Sequence, residues 1–318
     1  MPVAKRLLPA SAKNAKAGEQ VSLLKKRKSP DDDLGITLPT TLSEPSHDIG
    51  DYTFLFYGSK KIGKTSLAAQ FPKALAFMFE PGGTALRLLQ QPCPSWAHFK
   101  QSLDKMPANC PYKTFVVDTA SVAYDRCLEY ACAKANIEHP SDEGYGKGWD
   151  KVKKELASQL SRLMLMNAGL IALAHDKTQE IETKSGRKFT KIMPNLTGQA
   201  ESYFSATIDV IGYYHIEDNQ RWLQIREDDF AIAGCRCEEN FLTPDGQQVF
   251  KIPMGNSPQE AYKNLIRAFN NEQTETYAPE GVTRRSVPAN VAKVLSKPVA
   301  KTVVNTTRKL TAVTRKIK

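Results

Sequence analysis

The sequence predicts an α/β fold, in which a mostly parallel sheet carries helices on both faces. Three observations lead to this prediction. A glycine-rich loop joins a strand-like run to a helix-like segment, further apolar runs alternate with helical segments, and polar residues follow the ends of those runs. Strands that alternate with helices favour a parallel sheet covered on both sides.

The glycine-rich loop lies between an apolar run, residues 52–57, and a helix-like segment, residues 64–71. It matches the pattern G-x-x-x-x-G-K-[ST], whose backbone N–H groups form a concavity for phosphate. Lys64 would place its charge near the β- and γ-phosphates at a helix start, and Thr65 would place its hydroxyl on Mg²⁺. We expect this P-loop, residues 58–66, to bind nucleoside triphosphate through Gly58, Ser59, Lys60, Lys61, Ile62, Gly63, Lys64, Thr65 and Ser66.

Polar residues close three further strand-like runs, residues 74–79, 114–118 and 170–174. The carboxyl ends of parallel strands meet at one edge of a sheet, where ligands of open α/β sheets bind. Asp118, the last residue of TFVVD, is expected to hold Mg²⁺ through water beside Thr65. Glu80 is predicted to be the general base, or else a surface carboxylate before a Pro-Gly-Gly turn. His175 is predicted to sense the γ-phosphate, or else to be an ordinary strand-end histidine.

The remaining elements follow from periodicity and turn chemistry. Helices are expected around 122–131 and 150–167, and later strands at 207–214 and 222–225. A Pro-Asp-Gly turn indicates a hairpin over 241–250. Ser257 followed by Pro258 is typical of a helix start, and the last helix has the apolar stripe Ala261, Leu265, Ile266 and Phe269.

Other classes of P-loop protein fit the sequence less well. A guanine-specific GTPase would be expected to carry an N-K-x-D motif, and the sequence contains none. A small-molecule kinase would be expected to carry an arginine-rich lid, whereas residues 176–197 are rich in lysine. We therefore predict an ATPase with ATP and Mg²⁺ as its ligands.

The net charge of +10 is distributed unevenly along the 318 residues. Residues 1–30 carry +7 and residues 281–318 carry +10, so the 250 residues between them carry −7. We predict three parts: a basic, disordered arm at 1–48, an ATPase domain at 49–272, and a second basic, disordered arm at 273–318. Such arms bind polyanions or act as solubilising tails.

Composition also bears on location and on metal binding. The sequence has no apolar run of the roughly 18–20 residues that a membrane span requires, and MPVAKRLLPASAKNAK lacks a signal-peptide core. We expect no membrane contact and a cytoplasmic location, although the basic tetrad at 25–28 resembles a nuclear signal. The six cysteines are expected to be reduced thiols, and Cys235-x-Cys237 is too closely spaced for metal ligands.

Taken together, these motifs resemble the RecA-like recombination ATPases, and more closely the phage-encoded ATPase branch of the single-strand annealing proteins. The resemblance covers roughly residues 50–255. It depends on GSKKIGKTS, on FEPGG with Glu80 as the family's catalytic glutamate, on VVDTAS, HPSDEGYGKGW and ALAH, and on TGQAESYFSATIDVIGYY. It implies a RecA-like P-loop core, a ring or filament of identical subunits, and a bacterial host cytoplasm if the protein is viral.

The resemblance also implies two loops that face single-stranded DNA, at about 138–148 and 176–197. Basic groups neutralise phosphates and aromatic rings stack on bases without sequence preference. The expected DNA-binding residues are Tyr145, Lys147, Lys177, Lys184, Arg187, Lys188, Phe189 and Lys191, with Trp149 as a further aromatic. The alternative is that 176–197 is a solvated hairpin, because Glu180 and Glu182 dilute its charge.

The implied oligomer would complete each ATP site with an arginine from a neighbouring subunit. Arg236 is expected in that role, with Arg226 as a competitor. The resemblance does not cover the C-terminal arm, which could bind DNA or a single-strand-binding protein. The implied function is DNA annealing or strand pairing in recombination. A replication motor or helicase loader, and a module in which ATP is structural, stay open as alternatives.

Overall fold

A computed structural model describes residues 38–182, 186 and 188–279 of the chain. The predicted disorder of the two arms falls almost entirely on residues outside this part, as do Lys184 and Arg187. The chain divides after Glu44, and residues 38–44 form neither helix nor strand. The elements below all belong to the part that begins at Pro45.

Helices and strands alternate along the first two thirds of the described chain. The helices are α1 (Lys64–Ala68), α2 (Trp96–Asp104), α3 (Ala120–Ala135), α4 (Lys147–Met164), α5 (Gly198–Thr207) and α6 (Pro258–Phe269). The strands are β1 (Thr53–Tyr57), β2 (Ala74–Met78), β3 (Leu89–Pro92), β4 (Thr114–Asp118), β5 (Gly169–Ala174), β6 (Asp176–Glu182), β7 (Lys188–Pro194), β8 (Val210–Glu217), β9 (Gln220–Gln224), β10 (Gly234–Cys235) and β11 (Lys251–Pro253).

One large sheet has the strand order β11-β9-β8-β1-β5-β4-β2-β3, and β10 pairs with β8. The neighbours from β8 to β3 are parallel, whereas β9, β10 and β11 pair antiparallel at the other end. β5 lies between β1 and β4, so the carboxyl ends of β1, β5, β4 and β2 lie side by side. This edge is where the P-loop, His175, Asp118 and Glu80 emerge.

Alternating side chains of the central strands fill two cores, one on each face of the sheet. Leu55 and Tyr57 of β1 belong to the core beneath α2, α3, α4 and α5. Phe54 and Phe56 of the same strand belong to the core beneath α1 and α6. Every residue of β2, β4 and β5 is buried, because helices cover both faces. The predicted α/β fold with a mostly parallel sheet is confirmed.

Local signals account for the ends of several helices. The Ser257 hydroxyl accepts a hydrogen bond from the Glu260 backbone N–H at 3.2 Å, and Pro258 opens α6, as the sequence predicts. Asn136 ends α3 in the left-handed conformation, at φ +55°. These helices therefore begin and end for reasons that are readable in the sequence.

The structure refines three expectations about the later elements. The segment 176–197, expected to be a loop that faces DNA or else a solvated hairpin, is largely an antiparallel hairpin of β6 and β7, called here the hairpin. The strand expected at 207–214 begins only at Val210, because 198–207 is helical. The hairpin expected at 241–250 is reduced to one bridge between Leu242 and Gln248 around a turn. None of the helices in the described ranges combines the length and apolar character needed to cross a bilayer.

Candidate functional site

The P-loop turns back on itself between β1 and α1. Gly58 has φ +152°, and a Cβ there would lie 2.0 Å from the backbone oxygen of Tyr214. Gly63 has φ +115°, which side chains rarely adopt. The Lys64 ammonium, 6% exposed, donates to the backbone oxygens of Gly58 at 2.7 Å and Ser59 at 2.8 Å. Burial lowers the pKa of Lys64, while Asp176 and Asp118 oppose that shift.

Thr65 and Asp118 meet as the sequence predicts. The Thr65 hydroxyl donates to Asp118 Oδ2 at 2.8 Å, which joins the start of α1 to the end of β4. Burial raises the pKa of Asp118, and the hydrogen bond from Thr65 acts against that rise. A hydroxyl and a carboxylate are hard oxygen ligands of the kind that Mg²⁺ prefers. These two residues therefore fit the expected metal.

Glu80 and His175 face each other across the end of β4. The Thr119 hydroxyl donates to Glu80 Oε1 at 2.6 Å, and Glu80 Oε2 lies 3.8 Å from His175 Nε2. His175 Nδ1 is buried and has no hydrogen-bond partner among the described residues. Burial and the nearby Lys64 charge lower the pKa of His175, so its neutral form is favoured. The site thus holds a carboxylate and a neutral imidazole side by side.

These residues line one cleft of about 410 Å³ at the carboxyl edge of the sheet. Its walls are the P-loop, the turn at 78–83, and the ends of β4 and β5. This volume lies within the usual range for small-ligand sites. Of the predicted nucleotide-binding residues, Ile62 is buried in the core beneath α1 and α6, so only its backbone can serve a ligand. Lys60, Lys61, Gly63, Lys64, Thr65 and Ser66 all line the cleft.

The P-loop is also bonded to the hairpin, a contact that the sequence analysis missed. The Ser59 hydroxyl donates to Asp176 Oδ2 at 3.1 Å. Asp176 is the first residue of β6 and directly follows His175 in the cleft. The two residues are 117 positions apart in sequence, so no local pattern could have revealed the pair.

Most of the lysines in the hairpin stem that were predicted to bind DNA are bonded to other groups of the same chain. Lys177 donates to the Leu196 backbone oxygen at 2.7 Å, and Lys191, which is 12% exposed, pairs with Glu227. Lys188 is exposed and pairs with Glu180 at 3.0 Å. The described stem holds three basic and three acidic residues, so its formal charge is zero. Phe189 lies opposite Ile181 and is partly exposed.

The other expected DNA loop consists of two short 3-10 turns before α4, at Pro140–Asp142 and Gly144–Gly146. Tyr145 is fully exposed, at φ +58°. Lys147 is exposed and opens α4. Trp149 instead packs edge-on against His139, with ring centroids 5.4 Å apart. Tyr145 is thus free to stack on a base, whereas Trp149 already has an aromatic partner.

The two arginines lie away from the cleft. Arg236 donates to the Ala206 backbone oxygen at 2.8 Å and lies 3.8 Å from Asp209 Oδ1. Asp209 in turn accepts from Thr53, at the beginning of β1, so this is the edge opposite to the P-loop. Arg226 donates to the Cys235 backbone oxygen at 2.9 Å, and two of its other nitrogens are buried. Arg226 is therefore poorly placed to contact a neighbour, and a role of Arg236 in trans stays a prediction.

Comparison with known proteins adds a family match. A family model described as AAA domain matches residues 51–237. Among solved structures, the chain is similar to a KaiC-like protein from the archaeon Pyrococcus horikoshii OT3. The identity is 13%, covering 66% of this chain and 88% of that chain, with a TM-score of 0.37. This likeness is too distant to bear on function. No curated protein matches the chain significantly.

Proposed function

The chain belongs to the AAA-domain family of P-loop nucleoside triphosphatases, and we propose that it hydrolyses ATP in a cycle coupled to single-stranded DNA. The observation that carries this proposal is the bond between Ser59 of the P-loop and Asp176 at the base of the hairpin. It connects the cleft to the segment whose sequence is expected to contact DNA.

Hydrolysis is assigned to residues at the carboxyl edge of the sheet. Lys64 and the P-loop backbone would bind the phosphates, and Thr65 and Asp118 would hold Mg²⁺, which offsets phosphate charge. Glu80 accepts a proton from the attacking water as a P–O bond forms at the γ-phosphorus and the bond to the β–γ bridging oxygen breaks. ADP and phosphate leave, and Glu80 releases the proton to solvent. The hydrogen bond from Thr119 orients the Glu80 carboxylate for this step.

The half-buried imidazole of His175 is suited to sensing the γ-phosphate. Its Nδ1 atom is buried without a partner, which is costly unless a ligand or water supplies one. The next residue, Asp176, bonds the P-loop. Asp176 is also the first residue of the hairpin. A movement of His175 when the γ-phosphate leaves would therefore reach the hairpin through the next residue in the chain. This short route would couple the ATP state to the hairpin.

DNA contact is assigned to the tip of the hairpin and to Tyr145. The described stem is electrically balanced, and Lys184 and Arg187 of the tip add two positive charges by sequence. A fully exposed tyrosine supplies a stacking surface. Lys188 and Phe189 border the tip, and Lys147 follows Tyr145. We expect Lys177 and Lys191 to contribute less, because both are engaged within the chain.

Assembly and biological role extend the proposal. A ring or filament would bring Arg236 of one subunit towards the cleft of the next, and the basic arms would add DNA or single-strand-binding-protein contacts. Annealing or strand pairing in recombination, in a phage setting, is the role that the sequence resemblance implies. ATP turnover that responds to a protein partner instead would favour a replication motor or helicase loader.

Steady-state ATP hydrolysis by the wild type and by Glu80→Gln, each with and without single-stranded DNA, tests the proposal. We expect DNA to stimulate the wild type and Glu80→Gln to stay inactive under both conditions. Glu272→Gln, an exposed carboxylate outside the cleft and outside both expected DNA loops, serves as the matched control and should behave as the wild type. If single-stranded DNA leaves the rate of ATP hydrolysis unchanged, the proposed coupling to DNA is wrong. If Glu80→Gln still hydrolyses ATP, the assignment of Glu80 as the base is wrong.

A further inference from the structure

Two cysteines lie close together at the edge of the sheet opposite the cleft. Cys235 belongs to β10 and pairs with Val210 of β8, and Cys237 follows two residues later in the core beneath α1 and α6. The Cys235 thiol donates to the Cys237 backbone oxygen, with the sulfur 3.9 Å from that oxygen. Both are free thiols, Cys235 half-buried and Cys237 buried. The pair is thus in direct contact without being bonded.

The Arg226 guanidinium borders this pair, and it forms no ion pair with a carboxylate in the described part of the chain. Arg226 Nη1 donates to the Cys235 backbone oxygen at 2.9 Å, while Nε and Nη2 are buried without a hydrogen-bond partner among the described residues. Buried unpaired donors of a cation are costly, and a thiolate on Cys235 would supply the missing negative charge. Among the charged groups near Cys237, the Asp209 carboxylate disfavours a negative charge on its sulfur and the Arg226 guanidinium favours one.

The ionisation of the two thiols follows from these contacts. The hydrogen bond from Cys237 and the Arg226 charge lower the pKa of Cys235 to about 6. The pKa of Cys237 is raised, since it shares its proton with Cys235 and is itself buried. One sulfur is therefore a nucleophile at neutral pH and its neighbour keeps a proton, the arrangement of an attacking thiol beside a resolving thiol.

We propose that Cys235 and Cys237 form a peroxide-sensitive pair that closes to a disulfide. The Cys235 thiolate attacks one peroxide oxygen, the O–O bond breaks, and hydroxide leaves. Cys235 is then a sulfenic acid. The Cys237 sulfur attacks the Cys235 sulfur, the S–O bond breaks, and a second hydroxide leaves. The proton of Cys237 and the proton that Cys235 released to solvent on ionising convert the two hydroxides to water, so peroxide is reduced to two waters as two thiols are oxidised.

Closure of this disulfide would be transmitted to β1. A disulfide holds its two Cα atoms about 4.4–6.8 Å apart, so closure would fix the conformation of the segment that includes Arg236. The Arg236 backbone N–H donates to the backbone oxygen of Asp209 at 3.0 Å. The Asp209 carboxylate accepts from the Thr53 backbone and hydroxyl at the beginning of β1. Oxidation therefore acts on the strand that leads into the P-loop and on Arg236 itself.

Peroxide treatment of the folded, reduced full-length chain tests the proposal directly. After alkylation of the remaining thiols, we expect the peptide with Cys235 and Cys237 to have lost two hydrogen atoms and to resist alkylation until it is reduced. Cys110, another half-buried thiol, should stay alkylatable, and Cys110→Ser should leave the disulfide intact. Cys235→Ser should leave Cys237 reduced. Over-oxidation of Cys235, or disulfides between chains only, would overturn the proposal.

A second measurement uses only the wild-type protein, so its outcome does not depend on whether a variant folds. Iodoacetamide labelling of Cys235 in the wild type should reach half its maximal rate near pH 6. At that pH it should exceed the labelling of Cys110 about tenfold, after allowance for the lower nucleophilicity of a more acidic thiol. Arg226→Met should shift the profile to higher pH. In urea, where the fold is lost, the two cysteines should be labelled at the same rate. If Cys235 in the folded protein is labelled no faster than Cys110, the proposal is wrong.

Discussion

The cleft and the hairpin begin one residue apart, at His175 and Asp176, yet they are built differently. The cleft gathers side chains from the ends of four buried strands, and Lys64 and Asp118 are almost fully buried. The hairpin forms a two-stranded sheet, and at its base Ile192 also makes a parallel bridge with Ala231 and packs against the core beneath α2, α3, α4 and α5. Only the outer part of its stem, residues 178–182 and 188–190, is mostly exposed. Buried strand ends hold side chains in fixed positions, whereas the outer part of the hairpin can change position without disturbing either core. Under the proposed function, the cleft carries out the chemistry, the hairpin contacts DNA, and Ser59 and Asp176 connect the two.

The largest effect is expected in the cleft, from Lys64→Ala. Removing a buried, hydrogen-bonded charge that faces phosphate costs about 2–5 kcal/mol of binding, which is at least a thirtyfold loss of affinity. Calorimetry with Mg·ATP measures this directly. Lys60→Ala removes an exposed lysine from the same loop and should lose far less. Similar losses in both variants would mean that the cleft attracts phosphate only by its general charge.

A second large effect should separate binding from chemistry within the cleft. Glu80→Gln keeps the size and the hydrogen bond of the side chain but cannot accept the water proton. We expect ATP turnover to fall about 10²–10⁴-fold, the usual contribution of a general base, with ATP affinity nearly unchanged. Single-turnover hydrolysis and nucleotide titration give the two quantities. A variant that binds ATP weakly would instead point to Glu80 as part of the binding surface.

A smaller effect should locate the DNA contact at the tip of the hairpin rather than in its stem. The double variant Lys184→Ala/Arg187→Ala removes two charges that the balanced stem does not offset. The salt dependence of single-stranded DNA binding should then lose about 1.4 in slope, since each phosphate contact contributes roughly 0.7. Lys105→Ala/Lys113→Ala removes two exposed lysines that do not line the cleft and should leave the slope unchanged. Equal losses would mean that DNA binding follows net charge.

The smallest effect concerns the free energy of unfolding, which the buried Asp118 carboxylate lowers in the ligand-free protein. Burial raises the pKa of Asp118, so the folded state holds a proton on it more readily than the unfolded state. The folded state therefore loses stability as pH rises through the window between the two pKa values, and at neutral pH the carboxylate is a cost. Asp118→Asn should stabilise the ligand-free protein by about 1 kcal/mol and abolish the further stabilisation by Mg·ADP. Thermal unfolding with and without Mg·ADP checks both effects.

The sequence could predict the cleft because each of its parts is local. The P-loop turn, the acid at the end of β4, and Glu80 before a Pro-Gly-Gly turn are all set by a few neighbouring residues. The hairpin could be predicted only in part. Lys177 bonds a carbonyl 19 positions away and Lys191 a carboxylate 36 positions away, and no short pattern carries such pairings. The burial of Arg226 against Cys235 escaped prediction for the same reason.

The most direct test of the connection between the two regions is the affinity for a non-hydrolysable ATP analogue, with and without saturating single-stranded DNA. The wild type should bind nucleotide about 5–150-fold more tightly on DNA, and DNA more tightly with nucleotide by the same factor. Ser59→Ala and Asp176→Ala should each remove most of that factor, and the double variant should remove no more. An undiminished factor in both single variants, or a nucleotide affinity that DNA does not change, would contradict the account.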